Sequence, residues 1–220
     1  MRKNIVIEFE SDWQVSSGRG DGHLADSVLV RDAAGIPYLP GRAVKGALRE
    51  GATRLCSLQG RNDLVIAKEE IFGSDSNEIG QNNSGLIRVS AGRLPQDLLK
   101  AFMAVDDRAA RAEAVSYLTL NRSQTKLDER RQAVDRSLRS IECGIAGVSF
   151  ECEVEIYCAD PSREKWLEEY LRCVCAAVKS MGGDRARGLG ACQVRVKGQD
   201  KVPLSLPDHY VPELQHGEGN

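Results

Sequence analysis

The stretch Val148–Tyr157 alternates strictly: Val148, Phe150, Cys152, Val154 and Ile156 fall on one face, and Glu151, Glu153 and Glu155 on the other. Successive side chains of a strand point to opposite faces. A strand that is apolar on one face and charged on the other belongs to a sheet covered on one side only, which is the habit of antiparallel sheets. Residues 4–10 repeat the theme, with Ile5, Ile7 and Phe9 alternating with Val6, Glu8 and Glu10. The apolar face needs helices over it. With 41% hydrophobic residues in a chain of 220, there is material for one substantial core.

The pattern supplies such helices. Gly41 opens one at Arg42 that runs to about Cys56, with Val44, Ala47, Leu48, Leu55 and Cys56 on its apolar side. Pro161 and Ser162 introduce a longer one, about 162–180, in which Trp166, Leu167, Tyr170, Leu171, Val174, Cys175 and Val178 recur at helical spacing. Residues 95–118 read as weakly helical from Pro95, and 57–85 as irregular, with the polar stretch 74–85 a flexible loop. Further short strands are expected at Ser27–Val30, Leu86–Ser90, Ser137–Cys143 and Ala191–Lys197. The order strand, helix, strand, strand, helix, strand predicts an α+β fold: a four-stranded antiparallel sheet with two helices on one face, as in the ferredoxin-like β-α-β-β-α-β unit. Residues 1–200 are expected as one domain and 201–220, with three prolines and a glycine-rich end, as a C-terminal tail.

The net charge of −2 excludes a nucleic-acid footprint spread over the whole surface, so any basic surface must be local. The N-terminus, Met1–Glu10, is charged and alternating, unlike a signal peptide or a membrane span. Seven cysteines include no Cys-x-x-Cys pair, so reduced core thiols of a cytoplasmic protein are expected rather than a zinc site.

Three stretches carry chemistry. Gly182-Gly-Asp-Arg-Ala-Arg-Gly-Leu-Gly190 lies between a helix and a strand, the wrong polarity for a dinucleotide fingerprint. Its glycines permit close approach of a second backbone or a phosphate, and Arg185 and Arg187 are suited to phosphate; a helix cap followed by a turn is the plainer alternative. In the helix opened by Gly41, Arg42, Lys45 and Arg49 share one face by their spacing, with Arg42 and Lys45 near the amide-rich helix start; a solvated basic face is the alternative. In Gly18–Ser27, Asp21, His23 and Asp26 gather in one loop, the residue types that bind a metal or move protons, although Asp-Gly loops are also common turns.

The combination resembles the RAMP superfamily of CRISPR proteins. Leu24–Arg49 is similar to the N-terminal signature of backbone (Cas seven-like) subunits of type III effector complexes, in which an Asp-Ser pair precedes a short turn, then Pro-x-x-Pro-Gly and a helix with Lys-Gly-x-x-Arg. Arg122–Phe150 resembles their thumb region, and Gly182–Gly190 their C-terminal glycine-rich loop. Together the three span about residues 4–197.

The resemblance implies a modified ferredoxin-like (RRM-like) palm with an inserted thumb, about 119–136. It implies a role in antiviral defence as a cytoplasmic subunit that stacks with other copies of itself or related RAMP subunits along a CRISPR guide RNA, beside large and small effector subunits. Arg42, Lys45 and Arg49 of the palm helix, and Gly182, Gly183, Arg185, Arg187, Gly188 and Gly190 of the glycine loop, are then the expected contacts to the guide. Arg122, Lys126, Arg130 and Arg131 are the thumb's contacts beside the guide–target duplex. Asp26, in the Asp-Ser pair, is the residue expected to hold a divalent metal, Mg²⁺ or Mn²⁺, and to cleave target RNA, with His23 and Asp21 as assisting groups. Such an endoribonuclease would use the RNA's own 2′-hydroxyl as nucleophile. Two other readings stay open at this point: a scaffold of the same fold that binds without cutting, and an unrelated ferredoxin-like enzyme that binds a small phosphate compound.

Overall fold

The computed structural model describes residues 1–16, 27–74, 85–126, 128–199 and 207–210. In chain order it contains β1 (Arg2–Phe9), α1 (Gly41–Gln59), α2 (Asn62–Phe72), β2 (Ile87–Val89), α3 (Gln96–Met103), α4 (Arg108–Ser116), β3 (Thr119–Gln124), β4 (Arg139–Gly144), β5 (Ser149–Ile156), α5 (Glu164–Ala177) and β6 (Cys192–Val196). Among the described residues no helix is long and apolar enough to cross a membrane.

The main sheet has the strand order β2-β5-β1-β6, and every neighbouring pair is antiparallel. Register follows the alternation. Ile5 sits opposite Cys152 and Val196, and Ile7 opposite Phe150 and Val194, so the apolar sets of three strands fall on one face. A slip of one residue would turn every one of them to solvent. Leu48 and Val44 of α1 and Leu171 and Val174 of α5 are buried in the same core. Each such side chain contributes about 1.5–3 kcal/mol by leaving water.

The opposite face of the sheet is paved with charge. Arg195 meets Glu8 at 3.1 Å, Lys197 meets Glu151 at 2.7 Å and Arg2 meets Glu155 at 2.9 Å. Tyr157, which follows β5 in the same alternation as these glutamates and bonds its N–H to Leu86 O at 2.9 Å, is 70% exposed at the end of this face.

Four local expectations are revised by the structure. Helix α1 runs past Cys56 and ends where Gly60 takes φ 61° and bonds its N–H to Cys56 O. The stretch read as irregular holds α2, whose Leu64, Ala67 and Ile71 recur at helical spacing and are fully buried. The helical stretch 95–118 is two helices, α3 and α4, with Asp107 capping the second by accepting from Ala109 N. Ser27–Val30 forms isolated bridges, Ser27 to Ile141 and Leu29 to Ser16, rather than a strand. The polar loop expected at 74–85 lies outside the described residues over 75–84.

Candidate nucleic-acid interface

Strands β3 and β4 form a separate two-stranded hairpin, paired from Thr119↔Gly144 to Gln124↔Arg139. Its polar sequence leaves it little apolar packing of its own, a small cluster of Ile141, Cys143, Leu189 and Leu120. Anchoring comes from its base. Trp13 and Gly144 exchange backbone hydrogen bonds of 2.9 and 2.7 Å, and the Trp13 ring stacks on Phe9 and meets Phe150 edge-on. A Cβ on residue 144 would fall 2.1 Å from that indole, so only glycine lets the ring lie there. Asp12 completes the joint: it accepts from Arg122 at 2.5 Å and from Ala146 N at 3.0 Å through its carboxylate, and from Gly190 N at 2.7 Å through its carbonyl. Through Asp12, Arg122 ties the hairpin to the glycine loop.

The hairpin tip lies beyond Lys126. Asp128 shapes it by accepting from Arg130 N at 2.9 Å and Gln132 N at 2.8 Å, a side chain replacing backbone partners in a turn. Arg130 and Arg131 are exposed there, as is Leu138, 72% accessible.

The glycine loop uses its glycines chiefly for intramolecular packing. Gly182 sits at φ 100° and a Cβ there would lie 2.3 Å from Gln14 O; at Gly183 it would lie 2.5 Å from Gln14 Oε1. Gly190, at φ 76°, would bring one to 2.1 Å from Met181 O. Gly188, φ 82°, faces open space. Between them Arg185–Arg187 makes a single 3-10 turn that presents both arginines to solvent. Arg185 pairs with Glu50 of α1 at 2.5 Å. Arg187 donates to Gln124 of the hairpin and lies 3.5 Å from Asp184.

Hairpin and turn enclose a recess of about 260 Å³ lined by Gln124, Thr125, Lys126, Ser137, Arg139 and Arg187. Among the described residues three cations and no carboxylate line it, which suits an anion such as a phosphate. The structure therefore brings Lys126 and Arg187 together. Lining residues that the sequence reading missed are Gln124, Thr125, Ser137 and Arg139. The signal for Arg139 was present, since 137–143 read as a strand, but its partner Gln124 was not legible.

The α1 cations stand apart from this recess. Arg42 is exposed at the helix start. Lys45 and Arg49 share a face, as their spacing predicts, but that face turns inward. Lys45 reaches Ile87 O at 3.5 Å and Arg49 donates to Gly73 O at 3.1 Å. Burial lowers the Lys45 pKa, and the charge of Arg49 lowers it further.

Asp21, His23 and Asp26 lie outside the described residues. The residues flanking that stretch are fixed. Ser27 Oγ donates to Ser16 Oγ at 2.8 Å and accepts from Gln14 Nε2 at 2.6 Å. Ser27 O accepts from Glu142 N of β4 at 2.9 Å, and the Glu142 carboxylate takes Leu29 N and Arg31. Gln14, beneath Gly182 and Gly183, and Glu142, in the hairpin, therefore hold Ser27 beside both elements. Among the described residues no three His, Cys, Asp or Glu side chains gather in a way that would hold a metal ion.

Comparison with known proteins supplies the family. No curated protein matches the sequence. The fold is similar to a chain of the cryo-EM structure of type III-B Cmr-beta in the apo state, with a TM-score of 0.64 at 12% identity, covering 90% of this chain and 98% of that one. It is similar also to a chain of type III-B Cmr-beta bound to cognate target RNA, with a TM-score of 0.67 at 12% identity, covering 89% and 97%. The family model of the RAMP superfamily matches residues 6–193, nearly the whole of the folded chain, and the protein belongs to that superfamily.

Proposed function

We propose that this chain is a guide-RNA-binding backbone subunit of a type III CRISPR effector complex that also cleaves complementary target RNA. The observation that carries the reading is the basic recess, where Lys126 and Arg139 of the hairpin face Arg187 of the glycine loop. Membership of the RAMP superfamily and the fold shared with chains of type III-B Cmr-beta support it. In this reading the recess takes guide phosphates, Arg42 and Arg185 extend the track, and the tip with Arg130, Arg131 and Leu138 meets the guide–target duplex. Other copies or related RAMP subunits and the large and small effector subunits complete the assembly.

Cleavage is assigned to Asp26, the residue before Ser27, with His23 and Asp21 as neighbours in sequence. Mg²⁺ or Mn²⁺ held by Asp26 would stabilise charge developing on the scissile phosphate. Mg²⁺ keeps most of its waters and needs few protein ligands, so a single carboxylate would suffice to position it. What this chain contributes is placement of the neighbouring residue: Ser27 is bonded to Gln14 and to Glu142 of the same hairpin that supplies Lys126 and Arg139 to the recess.

The test is to purify the assembled complex, sequence the RNA that accompanies it, and offer a complementary target with Mg²⁺ or Mn²⁺. Asp26→Ala should abolish cleavage and leave guide and target binding near wild type, and a target with deoxynucleotides at the cut positions should bind and resist. A wild-type complex that carries guide and never cuts would reduce the reading to a scaffold. A chain that purifies free of RNA would overturn it.

A further inference from the structure

The stretch expected as a C-terminal tail contains, at 207–210, a segment seated in a made-to-fit socket on the helical side of the molecule. Tyr210 is 6% exposed. Its ring lies 4.6 Å from that of Trp166, which in turn stacks on Tyr170 at 4.9 Å, and the Arg163 guanidinium lies 4.9 Å above it. Its hydroxyl donates to Glu70 Oε2 at 2.6 Å.

The backbone of the segment is read as closely as its side chain. Arg61 donates to Pro207 O at 3.1 Å and Asp208 O at 3.2 Å. Trp166 Nε1 donates to Asp208 O at 2.6 Å, and Asp63 Oδ2 accepts from Tyr210 N at 2.9 Å. Arg61 and Asp63 brace each other at 2.6 and 3.1 Å, so the two groups that read the backbone are held in place. His209, between these anchors, has an 87% exposed side chain. Every one of these bonds comes from a socket side chain, with no strand or helix shared between segment and socket. Reading backbone amides and carbonyls by fixed side chains, with a pocket for one aromatic anchor, is how a protein recognises a peptide.

We infer that α2 and α5 form a peptide-binding site for a Pro-Asp-His-Tyr segment, whose resident ligand is this chain's own 207–210. The site is separate from the recess and does not depend on the proposed role in RNA binding. Being tethered, the segment is present at an effective concentration of about millimolar and excludes competitors of ordinary affinity. Weakening it in place should therefore open the socket to the same peptide added in trans.

The experiment uses the full chain carrying Tyr210→Ala and a fluorescein-labelled peptide of residues 205–213, followed by anisotropy. The variant should bind the peptide saturably. Wild type should show at least tenfold weaker binding, because its own tail competes. A peptide with alanine at the tyrosine position should bind neither protein. If Tyr210→Ala does not fold, Tyr210→Phe keeps the ring, loses only the Glu70 bond, and should give intermediate binding. A folded variant that binds no peptide, or binds both peptides equally, would overturn the inference.

Discussion

The hydroxyl of Ser27 donates to that of Ser16 at 2.8 Å, so these two residues are joined to each other beside β4 and the glycine loop. Gln14 and Glu142 hold Ser27 from two sides, the first through its side-chain amide and the second through its backbone N–H in β4.

Charge reversal separates the recess from α1. Lys126→Glu with Arg187→Glu should leave stability within about 0.5 kcal/mol, since both side chains are exposed. RNA affinity should fall, and the slope of log K against log salt should flatten by roughly one unit for each phosphate the variant no longer neutralises. Lys45→Glu should behave differently, unfolding at lower urea because it places a carboxylate against the Ile87 carbonyl. Equal urea midpoints for the two variants would contradict the inward placement of Lys45.

Removing the hairpin tip tests its independence. Residues 125–138 can be replaced by Asn-Gly, because Gln124 and Arg139 are directly paired and a two-residue turn joins such a pair. The cluster of Ile141, Cys143, Leu189 and Leu120 stays intact. Circular dichroism and urea unfolding should stay within about 1 kcal/mol of wild type, while RNA affinity drops as Lys126 and Ser137 are removed from the recess. A deletion that unfolds the chain would make the tip part of the core.

Gly188 and Gly190, in the same loop, should respond unequally to alanine. Gly188→Ala meets open space and suffers only its positive φ, a cost of roughly 1–2 kcal/mol. Gly190→Ala adds a clash with Met181 O and should cost at least ~3 kcal/mol. Chemical denaturation of the pair gives the difference directly, and equal losses would mean the loop relaxes around the new methyl.

Thiol reactivity should divide the cysteines. Cys143, Cys152, Cys173, Cys175 and Cys192 are buried. Burial pushes Cys143 and Cys192 up to about 11 and Cys152 up to about 12, and raises Cys173 and Cys175 as well. Since the thiolate is the nucleophile, these five should label slowly at neutral pH, with half-buried Cys158 labelling first and half-buried Cys56, whose thiol burial also pushes up, next. The division should vanish in denaturant. Fast labelling of all seven in the native protein would mean a looser core than the one described.

Alternation and helical spacing in the sequence by themselves determined the main sheet and its two large helices. Ile5, Ile7, Phe150, Cys152 and Val154 have to share a face, and the α5 run from Leu167 to Val174 has to cover it, because the period of the pattern is the period of the element. The resemblance carried by the Pro-Gly-Arg stretch, the thumb and the glycine loop identified the family on the same local terms. What the tertiary structure alone decided are the relationships between distant residues. Helix α2 was overlooked because its short apolar stripe lies amid polar stretches. Lys45 and Arg49 looked like a free basic face because spacing gives a shared side of a helix and not what that side packs against. The pairing of Gln124 with Arg139, the approach of Arg187 to both, and the capture of Tyr210 by Glu70 and Trp166 join residues far apart in the chain. A polar strand carries no apolar stripe to announce its register, so long-range contacts set where the hairpin stands, among them the packing of Trp13 on Gly144, the Asp12 joint and the bonds of Glu142 to Ser27, Leu29 and Arg31.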